Sequence, residues 1–358
     1  MQIKERWPQG QRFFLSFIEP ESISRSSLQQ HNPRSSQIVR TEYSNQFTNS
    51  TESTESTENF NAQQRATMSS NPELAEVRLA LPKGRMFDQV VNLLKSAGIS
   101  IRNSERGYRP SISLANYTAK ILKPRNVISM LDAGSRDLGF AGADWIHETG
   151  TELVELFDTG LNPVRLVIAA PHQILEDGKL PKRKITVASE YPNLARKWIN
   201  DNNLDAEVLQ TFGATEVFPP EDADCIMDNT STGSTLRANG LEIIDEVMTS
   251  STRLYASKAA MENPNLKGQI EDFTMLIKAV LQARGRVMMD LNVNQKDLEA
   301  VCELLPSMRT PTVSPLSNSD WVAVRTAVLR KELAELIPKL KNAGACDIVT
   351  TSAEQLVP

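Results

Sequence analysis

The sequence predicts an α/β protein with two lobes and a small C-terminal domain of mixed α and β structure. From residue 77 onward, short apolar strands alternate with amphipathic helices, which is typical of a mainly parallel sheet. A second series of the same kind begins near residue 165, and past residue 286 the order of elements becomes βαββαβ. We therefore expect an N-terminal extension at 1–75, a two-lobed region at 76–285 and a small domain at 286–358.

Residues 1–75 differ in composition from the rest of the chain. They are rich in Ser, Thr, Asn and Gln and contain a Thr/Ser-Glu repeat at residues 51–58, so they cannot bury enough apolar surface to offset chain entropy. We interpret the segment as disordered. It is a transit peptide, a functional tail, or the product of an upstream start site with Met68 as the true start. Its acidic residues Glu5, Glu19 and Glu21 count against a transit peptide.

Composition limits the kinds of partner. The 39 basic and 44 acidic residues give a net charge of −5, so the chain has no general attraction to nucleic acid or to an anionic membrane. Three widely spaced cysteines indicate free thiols in a reducing compartment. We expect a cytoplasmic protein, or an organellar one if the extension is a transit peptide, and no membrane span.

Each lobe of the two-lobed region follows from its own run of elements. For the first lobe we predict strands at 77–81, 119–122 and 137–141 and helices at 86–97 and 126–133. For the second we predict strands at 165–170, 184–189 and 207–210 and a helix at 193–202. The chain then returns to the first lobe through 254–257 and a helix at 267–284.

This arrangement predicts a cleft between the lobes. Two lobes linked by several crossings of the chain enclose such a cleft in periplasmic binding proteins. In open α/β sheets, ligands bind outside the carboxyl ends of the strands, where the loops lie. The functional residues should therefore follow strands directly.

The C-terminal domain is predicted to be ferredoxin-like. Its elements comprise strands at 287–293, 312–316, 321–329 and 346–350 and helices at 295–305 and 331–343. This βαββαβ order is the signature of the split βαβ unit.

A hydroxyl-rich loop at residues 228–235 is the strongest functional signal. Five Ser and Thr side chains surround Gly233, after an apolar run that can end a buried strand. Backbone N–H groups and hydroxyls of such a loop can cradle a phosphate, and a glycine lets the backbone approach it closely. The alternative is a Ser/Thr-rich turn with a helix cap, because these residues favour turns anyway.

Four motifs together resemble ATP phosphoribosyltransferase, the first enzyme of histidine biosynthesis. They are RLALPKGR at 78–85, DLGFAGAD at 137–144, FGATEV at 212–217 and DNTSTGSTLRANGL at 228–241. All four occur in the order and spacing of that family, and the similarity extends from Val77 to the C-terminus. The C-terminal βαββαβ segment resembles the ACT-like regulatory domain of the family's long form.

The resemblance implies a reaction and its partners. The family joins N1 of ATP to C1 of phosphoribosyl diphosphate and releases pyrophosphate, so the protein must position two anions and neutralise the leaving charge. No protein nucleophile is needed. Mg²⁺ held largely by the substrate diphosphate is expected, with its protein ligands unassigned. Feedback inhibition by histidine and a homo-oligomer, from dimer to hexamer, are also implied.

Site residues follow from the matched motifs. We expect Lys83, Arg85 and Asp228 to act in catalysis. Phosphoribosyl diphosphate should contact Asp228, Ser231, Thr232, Gly233, Ser234 and Thr235. ATP should contact Arg85, Gly139, Gly142, Asp144 and Glu216. Asp290, Thr312, Ser314 and Leu316 are candidates for binding histidine.

Several of these residues have structural alternatives. Asp228 could instead cap the following turn, and Lys83 and Arg85 could form a solvated basic turn. Asp137 could be a structural acid, and Tyr191 is expected to be a buried core residue rather than a ligand-binding one. The sequence also departs from most relatives after Asp228, where it has Asn229-Thr230 instead of an apolar pair.

A different class of function would be a two-lobed ligand-binding or regulatory module without catalysis. Such a module would carry a secretory signal or DNA-binding helices, and the sequence shows neither. A regulatory copy without catalytic activity should also have lost part of the hydroxyl-rich loop, which we also call the phosphate loop, or one of Lys83 and Arg85. All of these are present.

Overall fold

The computed structural model describes residues 75–103, 107–306, 310–317 and 320–357. The predicted extension, residues 1–75, lies outside these ranges apart from Ala75. None of the helices in the described ranges has the length and apolar character needed to cross a lipid bilayer. The three cysteines are free thiols; Cys225 is buried, and Cys302 and Cys346 are half-buried.

The first lobe is built on three parallel strands. In chain order its elements are β1 (Val77–Pro82), α1 (Arg85–Ser96), β2 (Ile101–Arg102), β3 (Ser111–Ile112), β4 (Tyr117–Leu122), α2 (Pro124–Asp132), β5 (Leu138–Gly142) and α3 (Ala143–Thr149). β1 lies between β4 and β5, and both pairings are parallel. Leu79 and Phe140 face α1 on one side, while Ala80 and Ala141 pack with α2 on the other.

The second lobe repeats this plan. Its elements are β6 (Val154–Pro171), β7 (Ile185–Ser189), α4 (Pro192–Asp201), β8 (Ala206–Gln210), β9 (Cys225–Thr230), α5 (Ser234–Ala238) and β10 (Leu241–Ala256). β7 pairs in parallel with β8 and with β9. Val187 and Met227 pack against α4 through Trp198, and all three are buried.

Two long antiparallel strands, β6 and β10, join the lobes into one eight-stranded sheet. The strand order is β4-β1-β5-β10-β6-β9-β7-β8. β10 runs antiparallel to β5 and to β6, and β6 runs antiparallel to β9. The prediction of a mainly parallel sheet is therefore confirmed within each lobe and wrong for the junction, where the chain reverses.

The sequence underestimated both long strands for a physical reason. In β6, Gly160 and Asn162 have positive φ and Pro163 follows them, so this segment has the composition of a turn. The pairing with β10 breaks register at several places, including between Ser250 and Thr252. The bulges leave the strands paired while changing their direction between the lobes.

The chain returns to the first lobe through α6 (Lys258–Glu262) and α7 (Pro264–Arg284). Ile270, Phe273 and Ile277 of α7 are buried in the same core cluster as Leu79 of β1. The predicted return of the chain to this lobe is thus confirmed.

The C-terminal domain has the predicted ferredoxin-like topology. Its elements are β11 (Arg286–Asn294), α8 (Leu298–Leu304), β12 (Thr312–Pro315), β13 (Trp321–Leu329), α9 (Leu333–Asn342) and β14 (Cys346–Thr351). The strand order is β12-β13-β11-β14, with antiparallel pairing throughout. Met289 and Leu291 of β11 pack with Val301 of α8 and Leu340 of α9. Both helices begin later than predicted because a 3₁₀ turn precedes each.

An ion pair fixes the start of the first lobe. Asp137, which is 2% exposed, accepts hydrogen bonds from Nε and Nη2 of Arg78 at 2.8 and 2.6 Å and from the Arg78 backbone N–H at 2.7 Å. Asp137 is thus a structural acid that ties the start of β5 to β1. Its carboxylate is satisfied by charge-assisted bonds, which are stronger than neutral ones.

We expect Asp137→Asn to lower the free energy of unfolding by about 2–3 kcal/mol, because it removes charge-assisted bonds from a buried site. Urea unfolding followed by circular dichroism measures this change. Asp201→Asn is the control, since its ion pair with Lys197 is exposed and should contribute less than about 0.5 kcal/mol. Equal effects of the two substitutions would contradict a structural role for Asp137.

Candidate active site

A cleft between the lobes contains the larger of two adjoining cavities, with a volume of about 1290 Å³. The carboxyl ends of strands from both lobes line it, together with the crossing strands β6 and β10. Four basic residues line it: Lys83, Arg85, Lys123 and Arg125. Although the protein has a net negative charge, positively charged side chains are concentrated where the strand ends meet.

The β1–α1 turn brings the first motif to the cavity wall. Gly84, with φ of 85°, caps α1, so the first backbone N–H groups of the helix and the exposed side chains of Lys83 and Arg85 lie at one edge. This combination favours anions. Lys83 Nζ donates to Tyr108 Oη at 3.0 Å and lies 4.9 Å from the ring centroid, and this hydrogen bond lowers the pKa of Tyr108.

The smaller cavity, of about 350 Å³, is formed by the hydroxyl-rich loop. The side chains of Ser231, Thr232, Ser234 and Thr235 are exposed around it. Gly233 has a φ of 73°, and its N–H donates to Oγ1 of Thr230 at 2.9 Å.

The two departures from an apolar pair after Asp228 both have partners in this structure. Thr230 anchors the turn at Gly233 through its hydroxyl, and Asn229 donates from Nδ2 to Tyr191 Oη at 2.9 Å. Both residues therefore hold the loop in place through side-chain hydrogen bonds.

Asp228 lies in a strand rather than at the start of the loop. It is in β9, paired with Val167 of β6, so the loop itself begins at Ser231. The predicted loop boundary is wrong because Asn229 and Thr230, which have the composition of a turn, continue the ladder next to β6. The alternative of a turn cap is not observed either, since Asp228 Oδ1 accepts from the adjacent Asn229 N–H at 2.7 Å.

The environment of Asp228 favours its protonated form. Burial is the largest cause, and with the negative charges of Glu190 and Glu216 it raises the pKa of Asp228 to about 7. The Asn229 N–H and Arg85 act in the opposite direction. Glu216, in a 3₁₀ turn after β8, and Glu190 line the smaller cavity beside Asp228.

Asp144 is engaged by the protein itself. It is 5% exposed; Oδ1 accepts from Ser250 Oγ at 2.6 Å and Oδ2 accepts from Tyr191 Oη at 2.7 Å. Tyr191 is 0% exposed, which confirms it as a core residue. Asp144 lines the larger cavity, and its contacts show it joining the first lobe, the crossing strand β10 and the second lobe.

The two glycines assigned to ATP have different surroundings. At Gly142 a Cβ would lie 2.1 Å from Asp144 Oδ1, so glycine leaves room for that carboxylate at the cavity wall. At Gly139 a Cβ would lie 2.7 Å from Val127 Cγ1 and 3.1 Å from Ala80 Cβ. Gly139 therefore serves the packing of α2 on the sheet and is not among the residues that line the two cavities, and its assignment to ATP stays a prediction.

The four residues suggested for histidine lie at the open side of the C-terminal sheet. Asp290 and Thr312 are both opposite Arg325 across neighbouring strands, and Asp290 accepts a hydrogen bond from Arg325 Nε. Ser314 lies two residues further along the exposed strand β12, opposite Ala323 of β13. Leu316 lies just beyond β12, where its N–H donates to the Trp321 carbonyl at 3.0 Å.

Sequence reasoning missed three residues that line the larger cavity and one that joins the two lobes. Lys123 and Arg125 follow β4 as Lys83 and Arg85 follow β1, so the same strand-end rule could have found them. Phe212, which is 80% exposed, follows β8 at the rim of the larger cavity. Glu148 had no signal in the sequence. It is 1% exposed and accepts from the backbone N–H groups of Asn193 and Leu194 at the start of α4, which docks α3 onto the second lobe.

The raised pKa of Asp228 predicts a pH-dependent cost to stability. Because the pKa of Asp228 is raised in the folded state, the folded state binds the proton more tightly than the unfolded chain does. The stabilisation that protonation gives is complete below pH 4 and is lost as pH rises toward 7. We expect the free energy of unfolding of Asp228→Asn to exceed that of the wild type by about 2 kcal/mol at pH 8. This difference should shrink toward pH 4. Urea unfolding across pH 4–8 measures it.

Asp201→Asn, at an exposed site of α4, is the matched control and should show no comparable rise. A difference for Asp228→Asn that is the same at every pH would contradict the burial of an ionising group at this position.

Comparison of the sequence with known proteins gives matches to one enzyme family. Residues 123–279 match the family described as ATP phosphoribosyltransferase (HisG), and residues 283–355 match the HisG C-terminal domain. The ATP phosphoribosyltransferase of Chlorobium phaeovibrioides is 35% identical over 286 residues, covering 78% of this chain and 97% of the relative. That of Pelotomaculum thermopropionicum is 33% identical over 288 residues, covering 79% of this chain and all of the relative.

A solved structure supports the fold of the two-lobed region. The ATP phosphoribosyl transferase (HisG:HisZ) complex from Thermotoga maritima is 26% identical, with a TM-score of 0.52, and covers 57% of this chain and 98% of that one. The sequence match to the relatives extends over nearly their whole length, including the C-terminal domain. The chain therefore belongs to the ATP phosphoribosyltransferase family, in its long form.

Proposed function

We propose that the chain joins N1 of ATP to C1 of phosphoribosyl diphosphate and releases pyrophosphate. The observation that carries this proposal is the adjacency of the two cavities. One is small and lined by hydroxyls, the other is large and basic, and Arg85 lines both. A transfer between two anionic substrates requires such neighbouring sites, since the protein mainly contributes positioning and charge stabilisation.

The smaller cavity suits the 5-phosphate and ribose of phosphoribosyl diphosphate. The exposed hydroxyls of the loop supply donors to phosphate oxygens, and Asp228, near the end of β9, supplies an acceptor for ribose hydroxyls. Substrate hydroxyls would stabilise the Asp228 carboxylate further, since in their absence burial keeps its pKa near 7 even with Arg85 lowering it.

The larger cavity suits ATP. Lys123 and Arg125 lie on one wall, and Trp145 and Phe212 provide aromatic surface for a base. Lys83 and Arg85, near the junction, would bind the diphosphate, with Arg85 able to make a bidentate contact. As the C1–oxygen bond breaks and the C1–N1 bond forms, these cations would stabilise the charge on the departing pyrophosphate.

Mg²⁺ is proposed to arrive with the diphosphate. Mg²⁺ keeps several waters and takes few protein ligands when it binds a substrate diphosphate. Within the described ranges no three His, Cys, Asp or Glu side chains converge as a metal site, while Glu190, Glu216 and Asp228 offer carboxylates near the phosphate loop. When bound, the ion would neutralise charge on the leaving diphosphate.

Pyrophosphate release from ATP, phosphoribosyl diphosphate and Mg²⁺ tests the function. We expect Arg85→Ala to lower kcat/KM by an amount that corresponds to a loss of about 2–3 kcal/mol in transition-state stabilisation, because a charge-assisted phosphate contact is lost. Arg102→Ala, at an exposed site on β2, is the control and should be unaffected. A loss below about 0.5 kcal/mol for Arg85→Ala would remove Arg85 from the site. No release from a folded protein that binds substrate would favour the non-catalytic module.

Regulation by histidine and assembly into a homo-oligomer are proposed from the long-form architecture. The C-terminal sheet has an open face that carries Asp290, Thr312 and Ser314 beside Arg325. A carboxylate and a guanidinium on one face could bind the amino and carboxylate groups of an amino acid. The Thermotoga maritima relative was solved as a complex, which supports a multi-subunit assembly.

Histidine should therefore suppress pyrophosphate release. We expect Asp290→Asn to raise the histidine concentration needed for half-inhibition by roughly tenfold, because a charge-assisted contact is lost. Glu299→Gln, on the helical side of the same domain, is the control. Release that ignores histidine would leave the catalytic proposal intact and contradict the regulatory one.

A further inference from the structure

Asn229 occupies the junction of the two cavities and ends a chain of hydrogen bonds between the lobes. It is the penultimate residue of β9 and lines both cavities. The chain runs from Asn229 Nδ2 to Tyr191 Oη at 2.9 Å, from Tyr191 Oη to Asp144 Oδ2 at 2.7 Å, and from Ser250 Oγ to Asp144 Oδ1 at 2.6 Å. It connects the second lobe to the first lobe and to the crossing strand β10.

The direction of every bond in this chain is fixed by its centre. The Asp144 carboxylate can only accept, so Ser250 and Tyr191 must both donate to it. The Ser250 oxygen in turn accepts from the Asp144 N–H at 3.1 Å, which agrees with this direction. Tyr191 has a single phenolic proton and uses it on Asp144. Its oxygen can therefore only accept from Asn229, which must present its NH₂ group.

Burial keeps this direction from reversing. Tyr191 is 0% exposed, Asp144 is 5% exposed, and the Tyr191 ring stacks on Trp145 with 4.6 Å between centroids. Burial first, and then the charge of Asp144, raise the pKa of Tyr191 far above its ordinary range, so the phenolic proton stays in place.

The carboxamide of Asn229 is consequently held in one orientation. Its Nδ2 is committed to Tyr191, and its backbone N–H donates to Asp228 Oδ1 at 2.7 Å. Among the described residues, none donates a hydrogen bond to its side-chain oxygen. An amide held at one end leaves that oxygen as a fixed acceptor at the point where the two cavities meet.

We propose that the carboxamide oxygen of Asn229 accepts a hydrogen bond from a substrate, which makes Asn229 a specificity-determining residue of the cleft. The inference rests on the proposed function, because the substrates are those of that reaction. The donor is a neutral O–H or N–H group at the junction. It comes either from a pentose hydroxyl of phosphoribosyl diphosphate or from the exocyclic amino group of ATP.

Separate binding of each substrate tests this inference. Calorimetry with ATP alone and with phosphoribosyl diphosphate and Mg²⁺ alone gives two dissociation constants for wild type and for Asn229→Leu. We expect a loss of about fivefold to tenfold for one substrate and less than about twofold for the other. Asn265→Leu, an exposed asparagine of α7, is the matched control and should change neither.

The substrate that loses affinity identifies the donor: phosphoribosyl diphosphate indicates a hydroxyl, and ATP indicates the amino group. Unchanged affinity for both substrates would overturn the proposal. Equal loss for both would also overturn it, since that result indicates a general disturbance of the cleft. Wild-type protein that binds neither substrate would instead contradict the proposed function.

Tyr191→Phe provides a second, conservative test. It removes the oxygen that fixes the amide but keeps the aromatic ring stacked on Trp145. We expect it to weaken the binding of the same substrate that Asn229→Leu affects. The loss of affinity in the double variant should be smaller than the product of the two single losses. Independent, multiplicative losses would show that Tyr191 does not act through Asn229.

Discussion

The antiparallel pairing of β6 with β10 is the constraint on which the rest of the structure depends. These two strands belong to both lobes and make the eight strands one sheet. Parallel strands on either side then direct their carboxyl ends toward the same cleft, which is why motifs far apart in sequence meet there. The bulges in the pair, including the positive φ of Gly160 and Asn162, let one continuous sheet change direction between the lobes.

Local charge at the strand ends overcomes the net charge of the chain. Lys83 and Arg85 follow β1, and Lys123 and Arg125 follow β4, so four cations line one cavity of a protein with a net charge of −5. In the adjoining cavity, burial first, and then the charges of Glu190 and Glu216, raise the pKa of Asp228. The described residues thus concentrate cations along the larger cavity and carboxylate acceptors beside the hydroxyl-rich loop.

The sequence predicted features set by local chemistry and missed those set by distant contacts. Apolar periodicity placed most elements within a few residues, and the hydroxyl-rich composition around Gly233 predicted the loop that follows β9. The close packing of Gly139 against Val127 of α2 joins separate elements, and nothing in the sequence indicates it. The Asp144–Tyr191 bond joins residues in different lobes, and no spacing in the chain indicates it.

The proposed reaction requires both substrates to bind at the same time in the adjoining cavities. A crystal structure with phosphoribosyl diphosphate and ATP under non-turnover conditions tests this requirement most directly. The geometry predicts the ribose phosphate on the loop at Ser231–Thr235, the nucleotide between Lys123 and Trp145, and N1 about 3–3.5 Å from C1. A structure with both molecules in one lobe, or with the adenine outside the larger cavity, would contradict it.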